Sequence, residues 1–167
     1  MALVRDLHFE PLADEADPDD WRPNSRLAVV VDPRNEDRPY IDRMVVLVEE
    51  IAPGGRIPLH EHTVDEVLFI DAGAGEIRLA DDVERVGAGA IAFIPAGVVH
   101  GMRNVGDGLL RIHAGFPTGA ITIRYHERNP APGTESDPPQ PPTAIDVRAL
   151  VEGRAEEAVR LLDTWAV

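Results

Sequence analysis

A stretch rich in histidine and acidic residues, before the middle of the chain, reads His60-Glu-His62-Thr-Val-Asp-Glu66. A further histidine, His100, follows 34 positions after Glu66. Side chains alternate between the two faces of a β-strand, so His60 and His62 point to the same side and can hold one ion together. Glu66 begins the strand-like run Val67-Leu-Phe-Ile70 and would add a carboxylate oxygen beside an apolar wall.

The donor types indicate which ions could bind. Three imidazoles and one carboxylate suit borderline divalent ions such as Fe(II), Mn(II), Ni(II), Co(II) or Zn(II), and an octahedral ion would keep two open positions. The chain has no cysteine, so sulfur ligands, disulfides and thiolate nucleophiles are excluded. A His-x-His pair taken alone has a second interpretation, a solvent-facing pair on a strand.

Glycine and proline residues frame these candidate ligands at regular spacings. Gly54 and Gly73 flank the first group, and Gly89, Pro95-x-Gly97 and Asn104 surround His100. Together they resemble the two signature motifs of the cupin superfamily, with all ten motif positions matched. The resemblance covers residues 54–104, and the 15 residues between Gly73 and Gly89 are similar to the short spacer of small microbial cupins.

The resemblance implies an all-β fold, a double-stranded β-helix or jelly-roll barrel. It also implies that His60, His62, Glu66 and His100 are the metal ligands, and that Glu66 is in addition a candidate catalytic base. Of the divalent ions, we expect Fe(II), with Mn, Ni, Co or Zn as alternatives. Asn104 belongs to the motif but is usually structural in the family.

Strand parity predicts further residues of a largely apolar substrate pocket. Leu68, Ile70 and Met102 share the parity of the candidate ligands and are expected to line the cavity. Arg111 and His113 alternate with apolar residues on a later strand, and two interpretations are open. They either face solvent or enter the cavity as an anion anchor and an acid/base group.

Short strands joined by glycine-rich turns occupy the middle of the chain, which is typical of an antiparallel sandwich or barrel. The sequence predicts four regions in its 167 residues. They are an acidic N-terminal arm (1–25), the cupin barrel (26–128), a proline-rich extended strap (129–143) and a C-terminal amphipathic helix (144–167) that breaks or kinks near Gly153.

The net charge of −14 restricts the partners. Such a charge repels phosphate backbones and anionic membrane surfaces, so we expect neither nucleic acid nor membrane as a partner. No apolar run approaches the roughly 18 residues that span a bilayer, and the N-terminus lacks a secretory pattern. We expect a cytoplasmic protein with a small-molecule substrate. An open jelly roll has an edge to cover, which favours a homodimer.

Three functions are compatible with the site. The first is a metal-dependent dioxygenase acting on a small aromatic or enol-type molecule. The second is a non-redox metalloenzyme, such as an isomerase, lyase or polyketide-type cyclase, in which the ion acts as a Lewis acid. The third is a module that binds or senses a small ligand without catalysis. The fold does not choose among them.

Overall fold

The strands form two antiparallel sheets that face each other. The computed structural model describes residues 7–13, 20–30 and 43–167, so parts of the predicted acidic arm (1–6 and 14–19) and of the predicted barrel (31–42) lie outside the described residues. In chain order the strands are β1 (Glu10–Pro11), β2 (Arg26–Val29), β3 (Val45–Ile51), β4 (Arg56–Glu61), β5 (Glu66–Ala72), β6 (Ala74–Leu79), β7 (Asp82–Gly87), β8 (Ile91–Ile94), β9 (His100–Asn104), β10 (Leu110–Phe116), β11 (Ala120–Tyr125), β12 (Thr143–Asp146) and β13 (Val159–Leu161).

One sheet has the strand order β1-β2-β3-β10-β5-β8, and the other has the order β13-β12-β11-β4-β9-β6-β7. Alternate side chains of the central strands point between the sheets, where Ile51, Leu110 and Ile112 are almost fully buried. The architecture is the double-stranded β-helix expected from the sequence. No helix in the described part of the chain is long and apolar enough to cross a membrane.

Two motif glycines show why the turns of the barrel need this residue. Gly73 and Gly89 have φ values of +87° and +90°. Such values strain any residue with a Cβ atom. At Gly73 a Cβ would also lie 2.5 Å from the carbonyl oxygen of Leu109, whereas at Gly89 it would meet nothing within 4 Å. Gly73 is therefore required by conformation and by space, and Gly89 by conformation alone.

Strand β7 has no signal in the pattern of the sequence. It pairs with β6 along its whole length, from Leu79 opposite Asp82 to Ala74 opposite Gly87. The first four of its six residues are exposed because β7 is the last strand of its sheet. With no buried face, β7 lacks the apolar alternation by which strands are recognised in sequence.

The C-terminal helical region consists of two short helices rather than one continuous helix. They are α1 (Val147–Val151) and α2 (Ala155–Ala158). Gly153 lies between them with a φ value of +78°, at the position where the sequence predicts a break. The segments directly before α1 and after α2 are strands: β12 pairs with β11, and β13 pairs with β12. This region therefore extends one sheet of the barrel.

Candidate metal centre

Pairing between β4 and β9 brings the separated histidines together. His60 lies directly opposite His100 in this pair, and their ring centroids are 4.2 Å apart. His62 follows β4 on the same face, with its ring centroid 4.8 Å from that of His60. Glu66 is the first residue of β5 in the other sheet. The four side chains are buried, and their ligand atoms all lie within 4.8 Å of one another.

Backbone carbonyls fix the orientation of all three imidazoles. His60 Nδ1 lies 2.8 Å from the carbonyl oxygen of Pro58. His62 Nδ1 lies 2.5 Å from the carbonyl oxygen of Thr122, and His100 Nδ1 lies 2.9 Å from that of Val98. Because a carbonyl oxygen can only accept, each Nδ1 carries a proton and donates. In a neutral ring, Nε2 then presents its lone pair to the centre of the cluster.

Two of these Nε2 atoms face a carboxylate oxygen without forming a hydrogen bond to it. Glu66 Oε2 lies 2.8 Å from His100 Nε2 and 3.5 Å from His62 Nε2. All three atoms are buried and lack a hydrogen-bond partner. Lone pairs that converge in this way repel one another unless a cation lies between them. The orphaned atoms and the donor set therefore fit a divalent metal ion.

Burial favours the neutral, metal-binding form of His60 and His62. It lowers the pKa of His60 well below the ordinary value of 6.5, and the neighbouring His100 and His62 act in the same direction. Burial also lowers the pKa of His62, although Glu66 opposes this shift. A neutral imidazole needs no deprotonation before it binds a metal ion.

The ligand atoms face a cavity of about 200 Å³ between the two sheets. Most of its lining is apolar and comes from both sheets and from α1. The apolar lining residues include Leu47, Leu68, Met102, Ile112, Ala114, Phe116, Ile121, Ile123 and Val147. Leu68 and Met102 are two of the three apolar pocket residues named from strand parity. The third, Ile70, lies in the core cluster and not in the cavity lining.

Arg111 and His113 do not line the cavity, so their inclusion among the pocket residues is corrected. Their neighbours in β10, Ile112 and Ala114, take the inward positions. Arg111 lies on the outer face, with Nε 3.8 Å from Asp71 Oδ2 and its guanidinium carbon 5.5 Å from the centre of the Phe9 ring. Strand parity allowed either face, and packing of the apolar residues against the core decides between them.

Sequence reasoning missed an ion cluster in the wall of the same cavity. Asp20, Arg22 and Glu49 all line the cavity, and Arg22 donates hydrogen bonds to both carboxylates. Only one signal was present in the sequence, an acidic residue in the apolar series Val45-x-Leu47-x-Glu49-x-Ile51. Asp20 and Arg22 belong to the region interpreted as an acidic arm, and nothing in their local pattern places them at the barrel.

Comparison with known proteins identifies the domain. Residues 47–116 match the family model described as the cupin domain. Among solved structures, the polyketide cyclase RemF from Streptomyces resistomycificus is 22% identical with a TM-score of 0.56, and the match covers 91% of this chain and 93% of that one. No curated protein matches the chain significantly in sequence.

Two further structures share the fold. An RmlC-like cupin from Shewanella frigidimarina is 14% identical with a TM-score of 0.53, and the match covers 70% of this chain and 89% of that one. KdgF from Halomonas sp. is 16% identical with a TM-score of 0.52, and the match covers 66% of this chain and 87% of that one.

Proposed function

We propose that the chain, whose residues 47–116 match the cupin domain, is a metal-dependent, non-redox enzyme that cyclises a small, largely apolar carbonyl compound of the polyketide type. The observation that carries the proposal is the opening of the four-ligand cluster into an apolar cavity. A substrate with many charges would lose most of its hydration against this mainly apolar lining, whereas an aromatic or aliphatic ketone has little hydration to lose.

The residues of the chain divide the work between holding an ion and holding a substrate. His60, His62, Glu66 and His100 supply the donor atoms for the ion. A bound divalent ion would act as a Lewis acid that polarises a carbonyl oxygen. Leu68, Met102, Phe116 and the other apolar side chains would bind the carbon skeleton and exclude water.

The shared fold with a polyketide cyclase supports cyclisation among the non-redox reactions. The likeness to RemF covers most of both chains, and it therefore includes segments outside the cupin match at residues 47–116. In this chain those outer segments contribute to the cavity, since Arg22, Val147 and Leu150 line it. The shape of the substrate space thus depends on elements that a minimal barrel lacks.

A second candidate function is oxygenation of an aromatic or enol-type molecule by an iron-loaded protein. The donor set favours it, because three histidines and one carboxylate would leave two positions of an octahedral ion open for substrate and oxygen. The two functions differ in the expected ion and in their need for oxygen.

A cyclisation assay tests the first candidate. The protein is loaded separately with Zn(II), Mn(II), Co(II), Ni(II) and Fe(II) and is given 1-phenylhexane-1,5-dione under nitrogen. Intramolecular aldol condensation joins the terminal methyl carbon to the benzoyl carbon and releases water, giving 3-phenylcyclohex-2-enone, which chromatography quantifies. Metal-dependent formation of this enone supports cyclisation. A rate equal to that of the metal-free protein contradicts it.

Parallel measurements with an oxygen electrode use a panel of catechols, flavonols and 1,3-diketones. Substrate-dependent oxygen uptake by the iron form alone would favour the oxygenase. Metal binding with neither reaction would favour a ligand-binding module.

A further inference from the structure

We propose that Glu49 is the proton-transfer residue of this site and that Arg22, held by Asp20, positions its carboxylate. The inference rests on the proposed function and names the residue that takes a proton from the carbon next to the substrate carbonyl. It concerns side chains outside the metal cluster. The argument depends on the placement of Glu49, on the way Arg22 holds it, and on the state of the other carboxylates in the cavity.

Placement in β3 separates Glu49 from its neighbour Glu50. Glu49 has the parity of Leu47, and both line the cavity. Glu50 points to the opposite face, where its Oε2 accepts hydrogen bonds from Arg26. The two glutamates have nearly the same exposed fractions, 9% and 8%, and each pairs with an arginine. They differ in which of them faces the candidate substrate space.

Arg22 is held rigidly enough to orient a carboxylate. Its Nε donates to Asp20 Oδ1 at 2.5 Å and its Nη2 donates to Asp20 Oδ2 at 2.6 Å, which is a bidentate arrangement. Its Nη1 donates to Glu49 Oε1. The backbone is also anchored, because the amide of Trp21 donates to the carbonyl of Asn129 at 3.0 Å. Arg22 itself is 7% exposed.

The remaining carboxylates of the cavity are engaged elsewhere. Within the described ranges, Asp20, Glu49 and Glu66 are the acidic residues that line it. Glu66 belongs to the ligand cluster, and both oxygens of Asp20 accept hydrogen bonds from Arg22. In the described contacts, Oε1 is the only oxygen of Glu49 that accepts a hydrogen bond from Arg22. We therefore assign its second oxygen to proton exchange with a ligand.

A purely structural role explains the cluster less well. Buried ion pairs stabilise a fold weakly, since the cost of removing the charges from water offsets most of their attraction. Burial raises the pKa of Glu49, and Arg22 opposes the shift. A carboxyl group whose protonated form is favoured by burial is typical of proton-transfer residues.

The proposed step is balanced without any further reactant. The bond between the α-carbon and its hydrogen breaks, and the proton moves to the Glu49 carboxylate. The electron pair moves into the carbon–carbon bond of an enolate whose negative charge lies on the former carbonyl oxygen. Return of a proton from Glu49 regenerates the ketone, and in D₂O it delivers deuterium once the carboxyl has exchanged with solvent.

The test compares Glu49→Gln with the matched control Glu50→Gln. Glutamine keeps an oxygen that can accept from Arg22, so the fold and the metal content should be retained, which circular dichroism and mass spectrometry check. The first readout is deuterium incorporation at the α-carbon of 1-tetralone by the Zn(II)-loaded protein, followed by NMR. We expect Glu49→Gln to lower kcat by about 100-fold or more and Glu50→Gln to leave it unchanged.

The second readout requires no catalysis. 1-Naphthol is the aromatic counterpart of the enol of 1-tetralone, and its affinity is measured by titration calorimetry with the metal-free and the Zn(II)-loaded protein. In the metal-free protein no ion competes for the naphthol oxygen, so its hydroxyl would donate to Glu49, and there we expect Glu49→Gln to weaken binding by at least about tenfold, with Glu50→Gln unaffected.

The two readouts separate the two proposals. If the wild-type protein exchanges deuterium and Glu49→Gln exchanges it equally fast, Glu49 is not the proton-transfer residue, while the proposed function stands. If the wild-type protein exchanges none but Glu49→Gln still loses naphthol affinity, the proposed function fails and the contact of Glu49 with the ligand stands. Unchanged naphthol affinity together with unchanged exchange overturns the inference about Glu49.

Discussion

His100 Nε2 and Glu66 Oε2 lie 2.8 Å apart, both buried and both without a hydrogen-bond partner. Since the Nδ1 atom of His100 donates to the carbonyl of Val98, the pair consists of two electron donors that face each other. Such an arrangement is stable when a cation occupies the space between them. To form such a pair, the two motifs must place His100 and Glu66 next to each other in space, so the positions of these residues in the chain matter for metal binding as well as their types.

Glu66→Gln is expected to weaken metal binding while it preserves the shape of the site. The substitution removes one negative charge and replaces a carboxylate oxygen by a weaker amide ligand, so affinity should fall by more than about tenfold. Mass spectrometry of the purified protein and competition with a chromogenic chelator measure the loss. Glu84→Gln on the exposed strand β7 is the control. Full retention of the ion by Glu66→Gln would contradict its assignment as a ligand.

The metal-free protein should lose stability as the pH falls. Burial lowers the pKa of His60 and His62, whereas in the unfolded chain they titrate near 6.5. Below that value the unfolded state binds protons that the native state does not, so the free energy of unfolding decreases with decreasing pH. Thermal unfolding of chelator-treated protein between pH 8 and pH 5 measures the effect. A Tm that rises over this interval would be inconsistent with buried neutral histidines.

Gly73→Ala and Gly89→Ala should differ in cost although both glycines have a φ near +90°. A left-handed conformation costs an alanine about 1–2 kcal/mol at either position. At Gly73 the new Cβ would also collide with the backbone of Leu109, which cannot move without disturbing β10. Denaturant unfolding should therefore show that Gly89→Ala lowers the free energy of unfolding by about 1–2 kcal/mol and that Gly73→Ala lowers it by clearly more. Equal losses would rule out the steric contribution.

Ala114→Leu should reduce the space for a ligand without removing the metal. Ala114 lines the cavity between the two sheets, and three added carbon atoms would project toward the substrate space. We expect weaker binding of 1-naphthol, unchanged metal content and a stability loss of about 1–3 kcal/mol from overpacking. Titration calorimetry measures the affinity. His113→Leu on the outer face of the same strand is the control, and equal effects of the two substitutions would argue against this cavity as the ligand site.

Arg22→Met should destabilise the protein more than Arg26→Met. Arg22 is the cation between two carboxylates, and its removal leaves buried charge uncompensated, at a cost of about 3–5 kcal/mol. The side chain of Arg26 is half exposed, so its pair with Glu50 contributes about 0–1 kcal/mol. Denaturant unfolding of both variants gives the comparison, and a small loss for Arg22→Met would show that the cluster adds little to the fold.

The barrel and the four-residue cluster that fits a metal ion were both predicted from local patterns in the sequence. Turns that need glycine, strands with alternating apolar residues and the two histidine motifs are local patterns, and each leaves its mark within a few residues. Edge strand β7 escaped prediction because it has no buried face to impose a pattern. The homodimer and the cytoplasmic location stay predictions.

Which other side chains reach the cavity depends on contacts between distant parts of the chain. Strand parity shows that Arg111 and Ile112 lie on opposite faces of β10, but which of them faces the cavity depends on how the two sheets pack. Arg22 comes from the N-terminal region and Glu49 from β3, 27 residues apart, and no local pattern connects them. The cluster that they form exists because a long-range contact places a charged segment against the barrel, and such contacts have no short-range signature in the chain.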